Sequence, residues 1–143
     1  MKDSSLQYCT FRIADLYMAI DVADIQEVIR YQSMTPVPLA PAAVRGLMNL
    51  RGQIVTAIDL RTRLCLEPIS LETLPMNIII RDGDSVVSLL VDEVGDVIDA
   101  DADLFEPPPA NMAGLASELV KEVYKLPERL LLILDVGKVI RLQ

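Results

Sequence analysis

Apolar and polar residues alternate with a period of two at the start of the chain, the pattern of half-buried strands. Cys9, Phe11 and Ile13 share one face of a first strand, and Leu16, Met18 and Ile20 share one face of a second, with Asp15 at the turn between them. Asp21 is placed to cap a short helix, Asp24 adds negative charge near its positive end, and Ile25, Val28 and Ile29 give the helix and its exit an apolar side. Pro36, Pro38 and Pro41 keep 35–41 extended and out of any central ladder. Pro41 as a first helical residue and Gly46 as an end predict one short helical turn. Leu47-Met48 and Gln53 to Ile58 flank Asn49-Leu50-Arg51-Gly52, a hairpin turn in which Asn49 and Gly52 tolerate positive φ.

Asp59 then caps another short helix through Leu60 and Leu64. Met76 to Arg81 and Ser85 to Val91 flank the hairpin signal Asp82-Gly83, and Val94 to Ile98 is a further strand. Phe105 to Gly114, with three consecutive prolines, reads as a loop. Leu119 to Tyr124 and Leu130 to Leu134 make a last hairpin across Pro127-Glu128, and Asp135 caps a short terminal helix. About ten short strands with frequent turns and no long helix predict an all-β barrel or sandwich. The strand-rich halves on either side of 67–75 suggest two small barrels on a common core within a single domain, 1–143. Phe11, Ile13, Ile58, Ile79, Leu89 and Leu132 are the predicted core.

Composition narrows the function. The 143 residues are 52% hydrophobic and 24% charged, which supplies a real core and excludes intrinsic disorder. A net charge of −8 argues against nucleic-acid binding and against docking on anionic lipid, both of which depend on Lys and Arg. There is no histidine, which removes the commonest general base and the commonest metal ligand together. No apolar run approaches the roughly 18 residues of a membrane helix, and the first residues lack an apolar signal core, so a cytoplasmic address is expected. Cys9 and Cys65 sit among apolar neighbours and read as small core residues.

Candidate chemistry is sparse. Asp99-Ala100-Asp101-Ala102-Asp103 has the opening spacing of a calcium loop, but Leu104 and Ala110 stand where that loop needs Gly and Glu. Asp92, Glu93 and Asp96 read as acids punctuating a turn rather than as catalytic carboxylates. Gly46 and Gly52 lack the Gly-Lys-Ser/Thr ending of a phosphate loop, and no Gly-x-Ser-x-Gly elbow occurs. The residues describe a non-enzymatic binding module with no metal and no cofactor. A small-molecule-binding β-barrel is the less favoured alternative.

One segment is more specific. Val44 to Leu60 reads Val-Arg-Gly-Leu-Met-Asn-Leu-Arg-Gly-Gln-Ile-Val-Thr-Ala-Ile-Asp-Leu. It resembles the signature of CheW-like domains, an Arg-Gly-x-x-Asn-Leu-Arg-Gly block leading into a buried strand that ends Ile-Asp-Leu. Ile25-Gln26-Glu27-Val28, Thr35-Pro36-Val37-Pro38, Leu90-Val91-Asp92-Glu93-Val94 and Leu132-Ile133-Leu134-Asp135 match in the same order along essentially the whole chain. Thr56, where many relatives have proline, departs from the pattern at what reads as a strand edge.

The resemblance implies two five-stranded SH3-like barrels on a common core. It also implies a stand-alone adaptor coupling the cytoplasmic tips of chemoreceptors to the regulatory domain of the histidine kinase CheA, in flagellar chemotaxis or in a related pathway such as surface motility. By that resemblance Arg51, beside Gly52, belongs to the coupling surface and pairs with Glu27, a residue of the predicted helix. Ile25, Val28, Val37, Leu47 and Val97 are expected at an apolar docking groove, with Ile25, Gly46, Met76 and Val97 bordering it between the barrels. Buried core is the plain alternative for these apolar positions.

Overall fold

The computed structural model describes residues 5–109 and 116–141. Its strands are β1 (Ser5–Ile13), β2 (Leu16–Asp21), β3 (Ile25–Arg30), β4 (Val44–Leu50), β5 (Gln53–Asp59), β6 (Met76–Asp82), β7 (Ser85–Val91), β8 (Glu93–Asp101), β9 (Val120–Lys125) and β10 (Leu130–Leu134). Four-residue helices α1 (Leu60–Arg63), α2 (Ala116–Leu119) and α3 (Val136–Val139) follow β5, precede β9 and follow β10. Two five-stranded sheets result, ordered β8-β1-β2-β10-β9 and β3-β6-β7-β5-β4.

Each sheet curls so that one isolated bridge links chain beyond one edge strand to the opposite edge, without closing the barrel. After leaving edge strand β3, the chain pairs Thr35 with Leu47 of the opposite edge strand β4, both N–H···O distances being 2.8 Å. After leaving β8, it pairs Glu106 with Val123 of β9 at 2.9 and 2.8 Å.

The two barrels repeat one plan with their strands exchanged. In chain order, β1 and β2 fill the second and third places of the first sheet, then β3, β4 and β5 fill the first, fifth and fourth places of the second. Strands β6 to β10 fill the same places with the sheets interchanged. Each sheet has one parallel pairing at the same point, β5 with β7 and β10 with β2. Details recur too. Asp59 N–H donates to Ala43 O at 2.7 Å and its carboxylate caps α1 through Thr62 N–H; Asp135 N–H donates to Leu119 O at 2.8 Å and its carboxylate caps α3 through Lys138 N–H. A register shift lies just before each of these aspartates, at Val44/Gly46 and at Ile133/Leu134. The connector at 64–75 therefore separates the two repeats of the chain, while each barrel draws strands from both.

This exchange explains the unbroken apolar runs. On β10, Leu132 and Leu134 enter the core shared by both barrels, whereas Leu131 and Ile133 enter the first barrel's own core. On β6, Ile78 and Ile80 enter the shared core and Ile79 the second barrel's own. Strands buried on both faces lose the apolar–polar alternation of half-buried ones. Phe11, Ile13, Ile58, Ile79, Leu89 and Leu132 are all buried, as predicted.

Several local expectations are corrected. Asp21 does cap a helical turn, but it is a single 3-10 turn, Val22–Asp24, and Ile25–Arg30 is a strand. The β-branched Ile25, Val28 and Ile29 suit a pleated ladder better than a helix. No helix forms between Pro41 and Gly46; Val44 N–H closes a turn on Pro41 O, and Gly46 lies inside β4. Thr56 pairs with Leu47 on one side and Val87 on the other, so it sits in a central strand. Cys9 is buried but Cys65 is exposed, at φ +63 just past α1. The predicted loop Phe105 to Gly114 falls partly outside the described residues.

A charged joint ties the barrels together. Asp92, between β7 and β8, is nearly buried and receives Arg61 Nε at 2.9 Å, Arg61 Nη2 at 2.5 Å and Ala14 N–H at 2.8 Å, with Arg12 Nη1 at 3.5 Å. Burial alone would push its carboxyl up. The hydrogen bonds from Arg61 and Ala14 and the charges of Arg61 and Arg12 outweigh it and hold the carboxyl below its ordinary value. Sequence reading took Asp92 for a turn acid and missed this role.

Two outcomes are expected. A Cβ at Gly46 would lie 2.8 Å from Thr35 O and 2.9 Å from Met34 Cβ, at the isolated bridge between Thr35 and Leu47. Gly46→Ala should therefore destabilise the protein by about 1–3 kcal/mol in urea titration. Because the Asp92 pKa is lowered by folding, its stabilisation is present above the unfolded carboxyl value of about 4 and is lost as pH falls through the folded value. Asp92→Asn should accordingly flatten the loss of stability as pH falls below about 5, measured by denaturant titration at each pH.

Candidate functional site

The site is built on the edges of the second barrel. Arg51 and Gly52 form the two-residue turn between β4 and β5, with φ of +52 and +88. Positive φ at both central positions suits the right-handed twist of the hairpin strands. Glycine takes this conformation freely, and arginine does so only with strain. Asn49, expected at positive φ, instead holds the turn by accepting Gly52 N–H on its side chain at 2.8 Å.

Arg51 reaches across the barrel opening and pairs with Glu27 Oε2 on β3. The guanidinium is 67% exposed and the carboxylate 26%. The Arg51 hydrogen bond is the main reason the Glu27 carboxyl lies below its ordinary value, and Glu27 in turn raises Arg51. Glu27 thus acts from a strand rather than from the predicted helix.

The base of the same hairpin is pinned by a buried ion pair. Asp59, fully buried, accepts Arg45 Nη1 at 2.6 Å and Ile69 N–H at 3.0 Å; Arg45 also donates to Ile69 O at 3.0 Å. The two arginines of the Arg-Gly-x-x-Asn-Leu-Arg-Gly block therefore divide their work. Arg45 secures the connector, and Arg51 faces solvent.

The expected apolar residues separate by exposure. Val28 (37%) and Val37 (36%) are exposed on the second barrel, and Val97 (54%) is exposed on the first, where it pairs with Cys9 across β8 and β1. Ile25 and Met76 are partly buried against the shared core, Leu47 is half-buried at its bridge with Thr35, and Gly46 is buried beneath 34–35. Gly46 does permit a close approach, but the approaching chain is its own. A groove of about 650 Å³ between the barrels is lined by Arg12, Arg61, Leu74, Met76, Asp92 and Val94 among others. Of the expected bordering residues, Met76 lines it, and Ile25, Gly46 and Val97 do not. Among the described residues no group of three or more His, Cys, Asp or Glu side chains is arranged to hold a metal, and no helix is long and apolar enough to cross a membrane.

The sequence profile of the CheW-like domain matches residues 7–143. The chain belongs to the CheW-like domain family. It is 29% identical over 142 residues to the chemotaxis protein CheW of Treponema pallidum, covering 96% of this chain and 84% of that protein. To CheW of Klebsiella aerogenes it is 31% identical over 134 residues, covering 94% and 81%. Its fold is similar to the crystal structure of the scaffolding protein TtCheW from Thermoanaerobacter tengcongensis, with a TM-score of 0.85 at 26% identity, covering 98% of this chain and 90% of that one. CheW-like proteins are non-enzymatic adaptors, so this chain is read as a chemotaxis scaffold, and the paired SH3-like arrangement follows the family fold.

The left-handed backbone at Arg51 yields a direct test. Arg51→Gly should raise the thermal midpoint by about 2 °C, because glycine relieves the turn at the expense of an exposed ion pair only. Differential scanning calorimetry checks this, and a clear drop in midpoint would assign the pair a structural role.

Proposed function

We propose that this CheW-like chain couples the cytoplasmic tips of chemoreceptors to the regulatory domain of the histidine kinase CheA, and that the Arg51–Glu27 pair centres its coupling surface. One observation carries the reading: a turn that glycine or asparagine would hold with less strain holds an exposed arginine, aimed at a carboxylate on the opposite edge strand. Strain of this kind persists where something other than folding requires the residue. Exposed Val28 and Val37 lie on the same barrel and offer apolar contact area. Ile25 and Met76 are half-buried against the core, Leu47 is half-buried at its bridge with Thr35, and Val97 is an exposed apolar residue on the first barrel. Gly52 keeps the turn narrow at the surface. The working location is the cytoplasmic face of membrane receptor arrays, with no insertion into lipid.

Titration calorimetry of the protein against the CheA regulatory domain should give micromolar-class binding, about 8 kcal/mol. Arg51→Ala should weaken that binding at least about tenfold, as truncation of an interface arginine commonly does, without lowering the thermal midpoint. Unchanged affinity in the variant, or no binding by the parent protein to either kinase domain or receptor tip, would overturn the reading.

A further inference from the structure

The Glu27 carboxylate has a second partner. Gln26 Nε2 donates to the same Oε2 that Arg51 engages, at 3.4 Å, and Arg81 Nη2 donates to Gln26 Oε1 at 2.5 Å. A continuous polar chain, Arg51–Glu27–Gln26–Arg81, therefore runs from the β4–β5 turn across β3 to the end of β6. Arg51, Gln26 and Arg81 are all exposed. Among the described residues, Glu27 Oε1 accepts no hydrogen bond.

The other barrel serves as an internal control. Val28 pairs with Ile78, and Val97 pairs with Cys9 at the matching place in the first barrel, so Asp96 stands where Glu27 does. Among the described residues Asp96 makes no side-chain ion pair. The arginine matching Arg81 is Arg12, which is engaged with Asp92 and Glu93 at the inter-barrel joint. In the β9–β10 turn, Arg129 lies over the Tyr17 ring at 3.8 Å instead of reaching an acid. The first barrel closes its edge with a looser pair, Lys125 and Glu106 at 3.5 Å. The same frame thus folds without the four-residue chain, and the demands of closure do not account for it.

We propose that Gln26 and Arg81 are positioning residues of the coupling surface: they fix the Glu27 carboxylate so that Arg51 is presented and Oε1 stays free for a donor of the partner. The surface then offers two cations flanking one acceptor, which fits a partner patch bearing carboxylates around a single hydrogen-bond donor. This rests on the coupling role of Arg51 proposed above, and it assigns Gln26 and Arg81 to that role in addition.

The test is a double-mutant cycle on the full chain, with calorimetry against the CheA regulatory domain at two salt concentrations. Gln26→Leu and Arg81→Ala should each weaken binding about threefold, the range of coupled neighbours. Combined with Arg51→Ala they should add less than their separate effects. Arg81→Ala should also lower the salt dependence of binding, because a cation facing the partner has been removed. Arg81→Lys should keep the salt dependence but not the full affinity, since the flexible ammonium does not hold Gln26 as the rigid guanidinium Nη2 does. Thermal midpoints should stay unchanged throughout. If Arg51→Ala weakens binding but Gln26→Leu and Arg81→Ala do not, or if their effects are simply additive with it, the positioning role is wrong and the coupling role of Arg51 stands. If Arg51→Ala has no effect, both readings fall.

Discussion

A five-stranded sheet curled into a barrel must cover two apolar faces, and this chain covers them by exchanging hairpins. The β1–β2 hairpin completes a sheet whose other strands come from the second half of the chain, and β6–β7 completes the sheet built by the first half. The face that each barrel turns toward the other is therefore assembled from both halves, in one cluster that runs from Phe11 and Met18 through Ile58, Ile78 and Leu89 to Leu132. Neither half can bury its strands alone, because each lacks the hairpin that the other supplies. Burial of large aliphatic side chains at about 1.5–3 kcal/mol each makes this shared cluster the dominant stabilising term.

The charged contacts follow from that arrangement. Asp59 and Asp135 hold equivalent places after β5 and β10 and cap equivalent short helices, but Asp59 also binds Arg45 and the 64–75 connector. Asp92 secures the crossing between the barrels with Arg61 from one barrel and Arg12 from the other. These ions are paired and hydrogen-bonded, as buried charge must be. The two repeats differ at the surface at Glu27 against Asp96 and at Arg51 against the β9–β10 turn, and the first barrel folds without the four-residue polar chain. On the coupling role proposed for Arg51, that asymmetry is what would distinguish one partner from another.

Much of the architecture was legible because strands, turns and caps are local. The alternation around Phe11 and Met18, the Asp82-Gly83 hairpin and the caps at Asp59 and Asp135 all rest on near-neighbour physics. What remained hidden was long-range. Ile25 to Arg30 carries apolar residues compatible with a helix side or a strand face, and only its pairing with β6 decides between them. Gly46 looked like a helix end because nothing nearby shows that Thr35 returns to lie over it. Asp92 read as a turn acid since its partners lie 31 and 80 residues away, as Arg61 and Arg12. The Arg51–Glu27 pair came from family resemblance, and the Gln26–Arg81 extension had no signal in the sequence. The exchange of hairpins was likewise invisible, because the two repeats share register and caps more than residue identity.

The claim that the two barrels are one structural unit is tested most directly by native-state hydrogen exchange. Amides of Met18 and Leu132 in the first barrel, and of Ile78 and Leu89 in the second, should open with the same free energy and the same denaturant dependence, equal to those of global unfolding. Two classes of core amide, one per barrel, separated by more than about 1 kcal/mol, would show that the barrels unfold independently and would contradict it.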